Sequence, residues 1–286
     1  MRRFTYSISS IATLAMTSAL SVSAVMASEV DQTNGYVLAD NGATLLKMDD
    51  LSSTDSFKTI QLSEQLDAIA YRPVTGDLIG FSRNKEIYSI DITSGELTDL
   101  SADFAEEADI GNGAVAFDFN NAIDAVRLVG SSGANLVYFP DSFGDERAST
   151  VQSFTETFYA EGDINEGAKP LVFANAYTNA IPGTKASSTF QYALDANTDA
   201  LVSLANNAGT LQTVGPVTVD GTPVDLVSAG GMDIVSMKEG HDEAYAVLQI
   251  KGADTSGLYS IDLESAEAVL IGDLGITGTN GFAAHN

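Results

Sequence analysis

The chain has 286 residues, of which 44% are hydrophobic and none is cysteine or tryptophan; 39 acids against 13 bases give a formal charge of −26. The apolar content can fill a core, which argues against a disordered chain, and the lack of thiols excludes disulfide staples and a cysteine-borne lipid anchor. So acidic a surface repels nucleic acid and anionic membranes, and suits solubility in salt or attraction for cations.

The opening MRRFTYSISSIATLAMTSALSVSAVMA sets Arg2 and Arg3 before an acid-free, moderately apolar run from Ile8 to Ala24 and a small-residue exit at Val25-Met26-Ala27. This is the pattern of a secretory signal cleaved after Ala27. Its core is Ser/Thr-studded and short of the roughly 20 apolar residues that span a bilayer. The reading predicts a periplasmic or extracellular protein with one domain over 28–286 and no membrane span. Loss of the two arginines takes the formal charge from −26 to −28.

Beyond the leader, apolar spacing of helical period is rare. Short Val/Ile/Leu/Tyr runs broken by Gly, Asn, Asp and Ser predict an all-β chain. GYVLAD (35–40), TLLKMD (44–49) and FKTIQL (57–62) come first, followed by AIAYRP (68–73), DLIGFS (77–82), IYSID (87–91) and ELTDLS (96–101). A third group opens with AVAFDF (114–119), AVRLVGS (125–131) and LVYFP (136–140), and QYALD (191–195) belongs to a fourth. MDIVSM (232–237), AYAVLQI (244–250), LYSID (258–262) and AVLIGDL (268–274) make a fifth, and GFAAH (281–285) stands alone at the end.

IYSID and LYSID are nearly one strand written twice, and the same anchor position falls at Asp49, Asp91, Pro140, Asp195 and Asp262, in steps of 42, 49, 55 and 67. Units of this length built from several short strands predict a propeller. In IYSIDI, Ile87 and Ser89 face one way while Tyr88, Ile90 and Ile92 face the other, so both faces carry apolar bulk, as a blade packed between two neighbours requires. Asp91 and Gly95 are turn chemistry, a carboxylate for backbone N–H groups and a residue free to take positive φ. The first unit lacks an inner strand and GFAAH supplies one. The sequence therefore predicts a five-bladed β-propeller closed by pairing of its N- and C-terminal strands, with six blades as the alternative if the 67-residue step hides a degenerate unit.

Several stretches resemble a secreted bacterial family, domain-of-unknown-function family 4394. They are TGDLIGFSRNKEIYSID (75–91), FDFNNAIDAVRLVGSSGANL (117–136), YAEGDINEGAKPLVFANAYTN (159–179) and GTLQTVG (209–215), with Phe-Asp-Phe-Asn, Asp-x-x-Arg and Gly-Asp-x-Asn elements in the family's order. Asn120-Asn121 departs from the Asn-Pro often found there. The resemblance implies a secreted, propeller-like domain and brings no activity with it.

Candidate site residues are few. Asp118, Asn120, Asp124, Arg127 and Asn135 form the densest polar cluster, and Asp163, Asn165 and Glu166 a second one. As hard oxygen donors they suit a ligand or Ca²⁺ at the channel mouth; as structural groups they suit an Asp–Arg ion pair and Asx turns that hold an insertion against the ring. Asp195, Asn197 and Asp199 have the spacing of the first three ligands of a calcium loop, but Ala200 and Asn206 stand where its Gly and bidentate Glu belong. His241 and His285 have no Ser and Asp constellation around them. Tyr71, Tyr88, Tyr159, Tyr177 and Tyr259 suit either blade packing or a carbohydrate groove. No cofactor is required by these patterns, and Ca²⁺ is the one they allow. The predicted role is a monomeric, non-enzymatic binding or surface module for a protein or glycan. The alternative is a Ca²⁺-dependent hydrolase or lactonase with its metal at the central channel.

Overall fold

The computed structural model describes Met1 and residues 32–286; the predicted leader and its cleavage point at Ala27 lie outside the described residues. Strand Glu86–Ile90 shows how the chain builds its sheets. Ile87 packs into an apolar cluster shared with the third blade, while Tyr88 and Ile90 pack into another shared with the first. The second copy repeats the alternation: Leu258 joins the cluster between the fifth and first blades, and Tyr259 and Ile261 that between the fourth and fifth. Period-2 side chains on a sheet that is apolar on both faces force neighbours onto both faces.

The result is a five-bladed β-propeller. The first blade joins Gly281–His285 to Asn34–Ala39, Thr44–Met48 and Lys58–Gln61. The second is Ala68–Arg72, Asp77–Ser82, Glu86–Ile90 and Leu97–Asp99. The third is Val115–Asn120, Ala125–Gly130, Asn135–Phe139 and Thr150–Ser153. The fourth is Val172–Tyr177, Gln191–Asp195, Ala200–Leu204 and Thr210–Pro216, and the fifth Leu226–Lys238, His241–Ile250, Gly257–Ile261 and Glu267–Asp273. Inner strands of successive blades pack side by side, and that of the first blade touches those of both the second and the fifth. Closure is antiparallel, with Gly35 opposite Ala284 and Val37 opposite Phe282, so neither terminus leaves an open sheet edge there.

Three blades carry extra edge strands that the sequence did not announce. Asp103–Phe104, Phe158–Tyr159 and Thr218–Val219 each pair in parallel with the outer strand of the blade that follows them in the chain. The chain thus brushes the rim of the next blade before it dives to the centre. Thr222–Pro223 folds back on Thr218–Val219 as a small hairpin, which absorbs part of the 67-residue step without adding a sixth blade.

The repeated turn has the expected chemistry. Asp91 Oδ1 accepts N–H bonds from Thr93 and Ser94 at 2.8 and 3.0 Å, and Asp262 Oδ1 does the same for Glu264 and Ser265 at 3.0 and 2.8 Å. Gly95 has φ +79°, and a Cβ there would lie 2.0 Å from the Gln61 carbonyl oxygen of the first blade. Small residues also close the axis. A Cβ on Gly231 would lie 2.4 Å from the Phe282 nitrogen, and the axial cavity is only about 10 Å³, at or below what one water needs.

Candidate functional site

The interface between the third and fourth blades is partly polar. Its apolar cluster rests on Ala116, Val129, Val172, Ala193 and a few larger side chains. Polar residues fill the remainder. Arg127, 3% exposed, donates through Nη1 to Asn135 Oδ1 at 2.7 Å, through Nη2 to Asn207 Oδ1 at 2.7 Å and through Nε to the Tyr177 hydroxyl at 3.3 Å. The Tyr177 hydroxyl donates to Asn206 Oδ1 at 2.8 Å, and Asn135 Nδ2 donates to the carbonyls of Thr155 and Asn206 at 2.9 Å each. Among the described residues this guanidinium meets no carboxylate; its charge is dispersed over amide and phenol oxygens. Burial pushes the Tyr177 phenol up to about 12, with the Arg127 charge opposing the shift.

Asp118 sits opposite Arg127 in the ladder, yet its carboxylate turns to the axis, where Oδ2 accepts the Tyr177 N–H at 2.7 Å. Asp233 does the same two blades on, accepting the Ala284 N–H at 2.7 Å and its neighbour's, Ile234, at 2.7 Å. Inner strands have no partner on their axial edge, so a carboxylate there satisfies an N–H that would otherwise be orphaned. Both groups are buried. Burial, with the charge of Asp233 added, lifts Asp118 well above the usual carboxylate range, and burial lifts Asp233 to about 7.

The remaining candidates separate in space. Asp124, at φ +59° in the turn between inner and second strands, faces the second blade rather than Arg127. Its two oxygens take Arg72 Nε and Nη2 at 2.8 and 2.6 Å, and Ser142 Oγ accepts a further bond from Nη2 at 2.7 Å. Asn120 Oδ1 caps its own turn through Ala122 N at 3.1 Å and receives the Thr189 hydroxyl at 3.0 Å, while Asn121 Nδ2 donates to the Asn179 carbonyl at 2.7 Å. Together these pin the 178–190 segment to the third blade.

Asp163 lies at the outer strand of the fourth blade, where it accepts from the Thr213 N–H and hydroxyl at 2.7 Å each and from Asn165 N at 2.8 Å; Asn165 Nδ2 reaches the same hydroxyl at 2.9 Å. Asp195 is fully buried, its oxygens taken by the Tyr159 hydroxyl at 2.6 Å, Asn197 N at 2.7 Å and Leu171 N at 3.0 Å. Asp199 turns away at φ +52° and accepts Leu226 N at 2.7 Å. Among the described residues no three His, Cys, Asp or Glu side chains are grouped to hold a metal ion.

An open concavity of about 870 Å³ runs along the end of the fifth blade and onto the fourth. Asp242, Glu243, Asp262, Glu264 and Glu267 line it with Tyr192 and Tyr245, and none of its lining residues is basic. Phe190, 52% exposed, stands edge-on to Tyr192 with ring centroids 5.0 Å apart.

A family profile described as Domain of unknown function (DUF4394) matches residues 43–283. The chain belongs to this family. No curated protein matches. Among solved structures, the DUF4394 chain is similar to one titled "YCF48 bound to D1 peptide", at 10% identity and a TM-score of 0.35. That match covers 82% of this chain and 62% of the other, so the DUF4394 chain spans less than two thirds of that protein's length.

Sequence reading of this DUF4394 domain found Asp118, Asn120, Asp124, Arg127 and Asn135 but not their partners. Arg72, Asp233, Asn207 and Tyr177 as an acceptor come from other blades, 50 or more residues away for Arg72, Tyr177 and Asn207. Asn175 and Gln191 were also missed; both are buried, and neither side-chain amide has a partner among the described residues. A polar residue inside a strand otherwise apolar on both faces was the available signal, and Asp233 in MDIVSM and Asn175 in VFANAY both give it.

Proposed function

We propose that this protein is a secreted, non-enzymatic binding module that grips a cationic partner in the acidic groove at the end of its fourth and fifth blades. One observation carries the reading: five carboxylates and two tyrosines line an open groove of about 870 Å³ with no basic residue among them. Clustered charge of one sign in a concavity focuses its field and raises the local concentration of the opposite sign. Two tyrosines add flat surface for the stems of lysine or arginine side chains. The closed axis supports binding over catalysis, since a cavity of about 10 Å³ leaves no room for a substrate at the centre of the ring. Secretion rests on the leader pattern of residues 1–27.

The test is fluorescence anisotropy with labelled oligolysine, neutral and oligoglutamate peptides at low and high salt. The expected result is salt-sensitive binding of oligolysine alone, weakened at least tenfold by Glu243→Lys with Glu264→Lys. Glu106→Lys with Glu107→Lys, on exposed residues outside the groove, matches the change in net charge. Equal loss in both double variants, or binding of the acidic peptide, defeats the reading.

A further inference from the structure

A second concavity, of about 210 Å³, opens between the second and third blades where their inner strands end. Its depth is apolar: Ile79, Phe119 and Tyr138 are each 3% exposed or less, and Leu100 and Pro140 complete the floor. Ser89 and Arg72 stand on its walls, and the exposed acids Asp77 and Asp141 stand at its mouth.

Arg72 is the element that gives this cavity its character. Asp124 holds Nε and Nη2 and Ser142 takes a second bond from Nη2, so the guanidinium is fixed in place, and among the described residues Nη1 has no hydrogen-bond partner. The charges of Asp77 and Asp141 both act on it, after the dominant hydrogen bonds it donates to Asp124. Tyr138 lies between opposing fields: burial raises its phenol to about 12, Asp141 adds to the rise and Arg72 reduces it. A small enclosed space therefore presents fixed donors, two hydroxyls and two carboxylate acceptors above an apolar floor. A concave, mainly apolar site with a few convergent polar groups is the general form of a small-molecule site.

We propose that this interblade cavity binds one neutral sugar ring, as a free monosaccharide or the end unit of a glycan. The polar groups select that class. Arg72 and Asp124 neutralise each other, which leaves the mouth with the two negative charges of Asp77 and Asp141 and disfavours uronates, phosphates and other anions. A simple ammonium would satisfy those acids but would leave the Arg72 Nη1 donors facing a like charge. A polyhydroxylated ring meets both: its hydroxyls donate to Asp77 and Asp141 and accept from Nη1, while its C–H face lies against the half-buried Leu100. At about 210 Å³ the space is below the 300–1,000 Å³ usual for drug-sized ligands, which fits a single ring. The inference does not depend on the acidic groove, which is lined by other residues.

The experiment is saturation-transfer NMR followed by calorimetry on the full mature chain. Glucose, galactose, mannose and N-acetylglucosamine are the probes, with an array of neutral oligosaccharides, and glucuronate and lysine serve as charged controls. At least one neutral sugar is expected to bind with a dissociation constant on the order of 1 mM or tighter. Ser89→Phe, which fills the cavity, should reduce binding at least tenfold, and so should Asp141→Ala, on an exposed residue, with an unchanged melting curve as the control for folding. Glu243→Lys with Glu264→Lys should leave sugar binding unchanged. Silence from every neutral sugar, preference for lysine or glucuronate, or undiminished binding in Asp141→Ala overturns the proposal.

Discussion

His285 stacks on Tyr71 with ring centroids 4.3 Å apart and planes 12° from parallel, so the last strand of the first blade is clasped to the first strand of the second. Tyr36 lies 5.8 Å from the same imidazole, 19° from parallel, with its hydroxyl 3.4 Å from Nε2. The ring of blades is thus sealed by hydrogen bonds along one strand pair and by aromatic contact at its end.

The clasp makes closure sensitive to acid. Burial lowers the His285 pKa below its usual 6.5, with the Lys47 charge acting the same way. A depressed folded value means that the neutral ring is favoured in the native state. Its contribution is present above pH 6.5 and is lost as pH falls through the folded value. The melting temperature of the native chain relative to His285→Phe, which keeps the stack without the titration, should therefore fall between pH 7 and pH 5. Parallel pH profiles for the two proteins would contradict this assignment.

Asp233 works in the opposite direction. Its folded pKa of about 7 exceeds the ordinary carboxylate value of 3.8, so its contribution is full below pH 3.8 and is lost as pH rises through 7. Asp118 shifts the same way, through burial and then the Asp233 charge. Replacing Asp233 by Asn removes the ionisation, and the stability profile between pH 6 and pH 8 should flatten. Chemical denaturation at a series of pH values reads the slope directly, and an unchanged slope would show that Asp233 does not titrate there.

The strands were legible because their chemistry is local. Alternation such as Ile87/Tyr88 and Leu258/Tyr259 declares two buried faces within six residues, and the Asp91 and Asp262 turns are set by groups two or three positions apart. Two-residue rim strands such as Asp103–Phe104 carry no period, and they exist only because a distant outer strand offers its edge. The polar cluster at 118–135 was legible as a cluster but not as a purpose. Its members divide between two interfaces, with Arg127 and Asn135 facing the fourth blade and Asp124 the second, and that division depends on which blades flank the third.

Gly95 offers a test of the turn. Alanine at φ +79° costs about 1 kcal/mol in backbone strain alone, and its Cβ would meet the Gln61 carbonyl at 2.0 Å. Gly162, at φ +81°, has nothing within 4 Å of the same atom. Gly95→Ala should therefore destabilise clearly more than Gly162→Ala in urea titrations. Equal losses would mean that the contact between the second-blade turn and the first blade relaxes freely.

Arg72 and Asp124 join the second and third blades through a paired, nearly buried ion bridge, with side chains 10% and 7% exposed. Removing one member of such a pair strands the other charge, at a cost of about 3–5 kcal/mol, whereas replacing both by apolar groups of similar volume is often neutral. Asp124→Ala should thus lower the melting temperature by roughly 2–4 °C for each kcal/mol lost. Arg72→Met with Asp124→Leu should recover most of that loss, because no unpaired charge remains. Additive losses in the double variant would mean that the bridge stabilises the interface outright, and that its value exceeds the cost of taking both charges out of water.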